Sequence, residues 1–221
     1  MERETFRPEI CPLGDSALLV QLGEEIDVIC NRRVHALSNL LSRSPLEGMV
    51  ETVPAYATLA IHYDPLVVTY AEIQHWVREK LQRLEDTEAP EPRRFEVPVR
   101  YGGEHGTDLQ FVADFHHLRP EDVIRIHSER IYTIYMMGFT PGFPYMGKLD
   151  DAIVTPRRET PRTHVVAGTV AIAGSQTGIY PIDSPGGWQL IGHTSLGLFD
   201  PESESPFLFA PGDEVRFLVE K

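Results

Sequence analysis

The sequence YMMGFTPGFPYMGKLD (residues 135–150) begins the stretch that decides the fold, and TPRRETPRTHVVAG (155–168) and IAGSQTGIYPIDSPGGWQLIGHT (172–194) continue it. Glycines and prolines are interspersed there with arginines, aromatic residues and amides. Glycine allows backbone conformations that other residues rarely adopt and proline fixes turns, so the polar side chains between them are held on a rigid frame. The stretch therefore predicts a shaped surface, which is either a ligand site or an interface.

The residues around this stretch predict a compact β domain over residues 95–221. Residues 95–100 have the pattern of a strand, and residues 108–117 and 120–128 have the pattern of two short helices. From residue 131 onward, β-branched and aromatic runs alternate with Gly and Pro turns, which is typical of a small barrel or a sandwich. Composition alone leaves both architectures open.

Residues 1–88 predict a separate α/β sandwich. Strand-like runs lie near residues 17–22, 49–53 and 58–63. Asp27 can cap a helix after the first run, and Thr69 with Glu72 forms a capping-box pattern ahead of a second helix. The order βαββα is typical of a split βαβ, or ferredoxin-like, domain. Acidic residues and prolines interrupt the pattern afterwards, so we place a linker at residues 89–94.

Composition narrows the classes of function. The net charge of -13 and the pI near 5.1 disfavour a nucleic-acid partner and an anionic membrane, because both need clustered Lys and Arg. No stretch approaches the ~20 apolar residues of a membrane span, and the first residues lack the apolar core of a signal peptide. We therefore expect a cytoplasmic protein. The spacing of cysteines and histidines matches no common metal motif, so we expect no metal site.

The sequence comes close to two motifs of known chemistry but matches neither of them. GFPYMGKL (142–149) fits GxxxxGK, yet Leu149 stands where a P-loop has the Ser or Thr that binds Mg²⁺, and Pro144 removes a backbone donor. The residues around Ser175 lack the GxSxG pattern of a hydrolase nucleophile. The sequence predicts neither a P-loop nor a serine hydrolase.

The chain resembles the allophanate hydrolase subunit 1 family. The resemblance rests on GFTPGFPYMG (138–147), TPRR (155–158), QTGIYP (176–181) and SPGGWQLIG (184–192), and it extends to PLGDSA (12–17) and LFDP (198–201). It implies a cyclophilin-like β-barrel for the second domain. The expected fold class is thus α+β, with an N-terminal ferredoxin-like domain followed by the barrel.

The resemblance also implies an activity. It points to the B subunit of an ATP-dependent 5-oxoprolinase, inactive alone, which acts with a homologous C subunit from the allophanate hydrolase subunit 2 family and with an A subunit. The complex would convert 5-oxo-L-proline to L-glutamate, with ATP and Mg²⁺ bound at the level of the complex. Two alternatives stay open, an inhibitor of a sporulation histidine kinase and the carboxyltransferase subunit of a urea carboxylase or allophanate hydrolase system. The sequence has no Met-Lys-Met site for biotin.

The candidate site residues come from the quoted stretch. Arginine forms planar charge-assisted pairs with carboxylate or phosphate, and histidine can shuttle a proton near neutral pH. The catalytic candidates are Arg157, Arg158 and His193. Aromatic, hydroxyl and amide groups can recognise a lactam ring. The substrate-binding candidates are Phe143, Tyr145, Arg162, Gln176, Thr177, Tyr180, Trp188 and Gln189. The alternative interpretation is structural: the aromatic residues fill the barrel core, and the arginines pair with neighbouring acids.

Overall fold

The structure, a computed structural model, describes residues 8–84 and 91–220 of the 221-residue chain. The chain divides into two compact units, Met1–Glu91 and Pro92–Lys221. Each unit has a hydrophobic core of its own. The linker expected at residues 89–94 falls partly on residues 85–90, which lie outside the described residues.

The first unit is a split βαβ sandwich, as predicted. Its described elements are β1 (Glu9–Pro12), β2 (Ala17–Gln21), α1 (Val28–Arg43), β3 (Met49–Pro54), β4 (Thr58–Tyr63) and α2 (Tyr70–Gln82). The strands form an antiparallel sheet in the order β1-β2-β4-β3. Helix α1 connects β2 to β3, and because both are antiparallel to the β4 strand between them, β2 and β3 are parallel to each other. Strand β1, which the sequence did not predict, takes the outer position beside β2.

Both helices of this unit begin at the predicted caps. The Asp27 carboxylate accepts the backbone N–H groups of Ile29 and Cys30, both at 2.9 Å, and Thr69 and Glu72 form the capping box. These bonds satisfy donors that a helix N-terminus leaves without an intrahelical partner. The apolar faces of the helices are buried with the sheet, in a core that includes Leu18, Val34, Leu37, Leu41, Leu59, Ile61, Ile73 and Val77.

The second unit contains a closed barrel, which confirms the predicted class. Its described elements are β5 (Arg94–Tyr101), α3 (Leu109–Phe115), α4 (Pro120–Ser128), β6 (Ile131–Met137), β7 (Pro144–Gly147), β8 (Arg162–Val165), β9 (Thr169–Ala173), β10 (Gln176–Ile179), β11 (Ser184–Gly186), β12 (Gln189–His193) and β13 (Glu214–Val219). Seven of these described strands close in the order β10-β7-β6-β13-β5-β12-β9. Strand β8 pairs separately with β11.

Alternate residues of the barrel strands fill its interior, as the two-residue period of a strand requires. Tyr132 and Ile134 of β6 and Val215 and Phe217 of β13 are all buried. Helices α3 and α4 pack against this core through buried apolar residues, which are Leu109, Val112, Ala113 and Val123. The two helices therefore belong to the barrel domain as structural elements.

A chain of polar groups crosses the barrel core. The Tyr101 hydroxyl lies 2.8 Å from Nδ1 of His127, and Nε2 of His127 lies 2.9 Å from Oγ1 of Thr177. Because Thr177 donates its own proton to the Ala171 carbonyl at 3.1 Å, its oxygen must accept from His127, which places the imidazole proton on Nε2. Burial lowers the pKa of His127 to about 3, so its ring is neutral at physiological pH.

Candidate functional site

Two of the predicted arginines form ion pairs with the buried carboxylate of Asp108. Nη2 of Arg162 donates to both Asp108 oxygens, at 2.6 and 2.8 Å, and Nη1 of Arg158 lies 3.4 Å from Oδ1. The backbone N–H of Leu190 donates to Oδ2 at 2.7 Å. Asp108 is only 5% exposed, so these donors supply the compensation that a buried charge requires. Asp108 therefore links the arginine-rich segment, residues 157–162, to strand β12.

The sequence pattern does not single out Asp108. Its place directly before α3 suggests an N-cap, but its side chain makes no capping hydrogen bond. Its two arginine partners lie 50 and 54 residues further along the chain. Only the fold brings these groups together.

Arg157 differs from the other two arginines. It is exposed, and its guanidinium makes no hydrogen bond or ion pair with the described residues. Burial raises the pKa of the Tyr145 and Tyr180 phenols, and the positive charge of Arg157 opposes part of that rise. Both phenols therefore stay protonated at neutral pH. Arg157 is a cation beside them that is available to an anionic ligand.

The predicted aromatic residues form one cluster around Phe143. The Phe143 ring centroid lies 4.9 Å from that of Tyr145, 5.2 Å from that of Tyr180 and 5.3 Å from that of Trp188, all edge to face. Phe143, Tyr180 and Trp188 are buried, whereas Tyr145 is half-buried. The buried members support the structural interpretation. The cluster reaches the surface at Tyr145 and at the exposed Phe139, whose ring centroid lies 5.6 Å from that of Phe143.

The predicted amide and hydroxyl groups lie in different environments. Nε2 of Gln189 donates to the Pro156 carbonyl at 2.9 Å, while its buried Oε1 has no hydrogen-bond partner among the described residues. Gln176 is half-buried at the start of β10. Thr177 lies apart from the others, because its hydroxyl belongs to the chain of polar groups in the barrel core.

His193 lies at the end of β12, beside a cavity. Its Nε2 is 2.9 Å from the Ala167 carbonyl oxygen, and its ring centroid is 6.0 Å from that of His105. Both histidines line a cavity of about 500 Å³, and Arg162 lines it too. Nη1 of Arg162 also lies 3.5 Å from the carbonyl oxygen of Trp188 in the aromatic cluster. Arg162 therefore connects the cavity, the aromatic cluster and Asp108.

The near-match to a P-loop forms part of the barrel. Within residues 142–149 the chain forms strand β7, paired with β6 and β10, in place of a loop that leads into a helix. Over residues 8–84 and 91–220, no three His, Cys, Asp or Glu side chains are placed to hold a metal ion. Within the same ranges, no helix combines the length and apolar character of a membrane span.

Known proteins are similar to this chain in sequence and in fold. The chain is 42% identical to the 5-oxoprolinase B subunit of Bacillus subtilis over 97% of its own length and 93% of that protein. It is 29% identical to urea amidolyase of Lachancea kluyveri, covering 92% of this chain but 13% of the enzyme. The solved structure of TTHA0988 superposes with a TM-score of 0.82 at 40% identity, over 93% of this chain and 40% of that one.

The family assignment rests on a match that runs through both units. The model of the carboxyltransferase domain, subdomain C and D, matches residues 8–209. That range includes the arginine-rich segment, the aromatic cluster, Asp108 and the cavity. The chain therefore belongs to the carboxyltransferase domain family, subdomain C and D.

Proposed function

We propose that this chain is the B subunit of an ATP-dependent 5-oxoprolinase, which acts with the A and C subunits to convert 5-oxo-L-proline to L-glutamate. The observation that carries the proposal is the 42% identity to the 5-oxoprolinase B subunit of Bacillus subtilis, because it covers 97% of this chain and 93% of the relative. A shared fold would not suffice, since one fold serves many functions.

The arginines of the candidate site suit the negative charge of the groups that take part in this reaction. A lactam carbonyl is a poor electrophile, and transfer of the terminal phosphoryl group of ATP to its oxygen, with release of ADP, would activate the ring carbon toward water. Addition of water and cleavage of the C–N bond would open the ring to an acyl phosphate, which a second water would hydrolyse to L-glutamate and inorganic phosphate. Arg157, which is exposed and has no partner among the described residues, can neutralise negative charge on a phosphoryl group or a carboxylate. Arg158 shares Asp108 and so offers less of its charge. His193 remains the candidate for proton transfer, and Mg²⁺ would be bound at the level of the complex.

The proposal includes dependence on partners. The C subunit would supply a second barrel, homologous to this one, and the active site would be completed only in the complex. The half-buried Tyr145 and the exposed Phe139 and Arg157 join aromatic rings to an available charge, a combination that is common at binding surfaces. We expect the isolated chain to fold and to be inactive.

The test is reconstitution. This chain is mixed with homologues of the A and C subunits from its own genome, and L-glutamate release from 5-oxo-L-proline is measured with each protein omitted in turn. The proposal expects release only when all three are present. A stable complex of the three proteins that releases no glutamate would refute it.

A second candidate is a carboxyltransferase subunit of a urea carboxylase system, favoured by the 29% identity to urea amidolyase. This chain corresponds to 13% of that enzyme, so it would act there as a small part of a much larger assembly. The same preparations supplied with urea, bicarbonate, ATP and a biotinylated carrier protein distinguish the two candidates. Carboxylation of urea without release of glutamate would establish the second.

A further inference from the structure

The cavity beside β12 has the size and the mixed lining of a small-molecule site. Its volume of about 500 Å³ falls within the range of ligand pockets. The loop that precedes α3, strand β8 and strand β12 form its walls. Val165 and Leu190 give it an apolar side. Its hydrogen-bonding groups include Arg162, His105, His164 and His193, and Glu104 adds a carboxylate at the wall.

Arg162 has hydrogen-bond donors to spare at this cavity. A guanidinium carries five N–H groups. Arg162 uses Nη2 for the two oxygens of Asp108 and directs Nη1 toward the Trp188 carbonyl oxygen. Its Nε–H makes no hydrogen bond within residues 8–84 and 91–220. Asp108 therefore holds the guanidinium in place without using all of its donors, and the group that such donors bind best is an anionic oxygen.

The histidines add further polar groups, and that of His193 is oriented by a hydrogen bond. The Ala167 carbonyl can only accept, so Nε2 of His193 carries a proton and Nδ1 is left for a ligand. Nε2 of His105 lies 3.8 Å from Glu104, and Nε2 of His164 lies 3.7 Å from Asp183. Nδ1 of His193 can therefore accept an N–H group of a ligand, and the ring N–H of His105 can donate to a carboxylate oxygen.

We propose that this cavity binds a small carboxylate-bearing molecule. Its carboxylate would lie at Arg162 and His105, an N–H group of the molecule would donate to Nδ1 of His193, and its carbon skeleton would lie against Val165 and Leu190. The choice of acid rests on the proposed function, which names 5-oxo-L-proline and L-glutamate as the members of this class. The cavity is then where this chain contacts the organic substrate or product.

The test is an NMR titration of the full-length chain alone with 5-oxo-L-proline, with L-glutamate and with 5-oxo-L-prolinamide, which lacks the carboxylate. We expect saturable shifts of cavity amides with at least one of the two acids and much weaker binding of the amide. Loss of the hydrogen bond made by the imidazole in His193→Gln or His105→Gln should weaken binding about tenfold. The control is His75→Gln, an exposed histidine of α2 that should leave the affinity unchanged.

Three outcomes would overturn the proposal. The first is the absence of a saturable shift with either acid up to about 10 mM. The second is equal affinity for the acids and the amide, and the third is a loss of affinity in the control variant as large as that in the cavity variants. Because the titration needs no partner protein, its result is separate from that of reconstitution. Glutamate release by the complex without cavity binding would leave the proposed function standing and remove this site, and cavity binding without glutamate release would do the reverse.

Discussion

Acid should destabilise the barrel through one histidine, His127. Burial lowers its pKa from the ordinary 6.5 to about 3, and it is fully buried between Tyr101 and Thr177. Above the ordinary pKa, neither the folded nor the unfolded chain protonates this ring, and its contribution to stability is complete. As the pH falls from 6.5 toward 3, the unfolded chain binds a proton that the folded chain does not. The free energy of unfolding therefore falls across that window.

The magnitude follows from the two pKa values. Each pH unit between them costs up to about 1.4 kcal/mol, so acidification from about pH 7.5 to about pH 5 should remove about 2 kcal/mol through His127. The assay is urea unfolding at both pH values, followed by Trp188 fluorescence in a Trp76→Phe background so that the signal comes from the barrel. The His127→Gln variant should lack this part of the pH dependence. The matched control is His75→Gln, because His75 is exposed in the first unit, 3.7 Å from Glu79.

The decisive quantity is the difference between the parent protein and His127→Gln in how much stability each loses on acidification. Other histidines contribute to both proteins and cancel in this comparison. If both proteins lose the same free energy, His127 is not held neutral in the folded state. The assignment of a neutral imidazole to the polar chain in the core would then be wrong.

Three further substitutions test the site and the barrel. In the reconstituted complex, Arg157→Ala should lower kcat/KM about 100-fold through loss of a charge-stabilising group, whereas Arg216→Ala, an exposed arginine of β13, should have little effect; equal losses would contradict this role. Asp108→Asn should lower the free energy of unfolding by about 2 kcal/mol or more, because it removes the charge that holds two arginines, and denaturant titration measures it. Gly186→Ala should destabilise the barrel by about 1–3 kcal/mol, since its new methyl group would collide with a buried phenol. Gly197→Ala, where the space is open, is the matched control, and equal melting temperatures for the two variants would refute the packing argument.

Local signals predicted most of the elements, since helix caps and strand alternation depend on residues close together in sequence. Asp27 and Thr69 mark their helices correctly because each cap bonds within three residues. Strand β1 was missed because it is a short, mostly exposed edge strand that contains Pro12, without the alternation of a half-buried strand. Closure of the barrel depends on parallel pairing of β5 with β13, which places Arg94 opposite Glu214. Nothing local encodes that pairing, so the barrel was expected only from the family resemblance.

In the candidate site too, the local sequence predicted some residues, and only the fold revealed the others. Residue type and spacing identified the arginines and aromatic residues, and the fold places Arg158 and Arg162 on one carboxylate and four aromatic rings in one cluster. Asp108 and His127 were not predicted, because a sequence gives no sign of burial or of partners 50 residues away. Thr177 was selected for its hydroxyl, and only its depth in the barrel shows that this hydroxyl serves the core.

Whether this chain is the B subunit of an ATP-dependent 5-oxoprolinase is best decided on the reconstituted enzyme. The measurement is the release of ADP and L-glutamate from 5-oxo-L-proline and ATP by the mixture of all three proteins, recorded with and without this chain. We predict that both products form in equal amounts and that glutamate release disappears when the chain is left out. Glutamate release that continues at the same rate without the chain, or that proceeds without ATP, would contradict the proposed function.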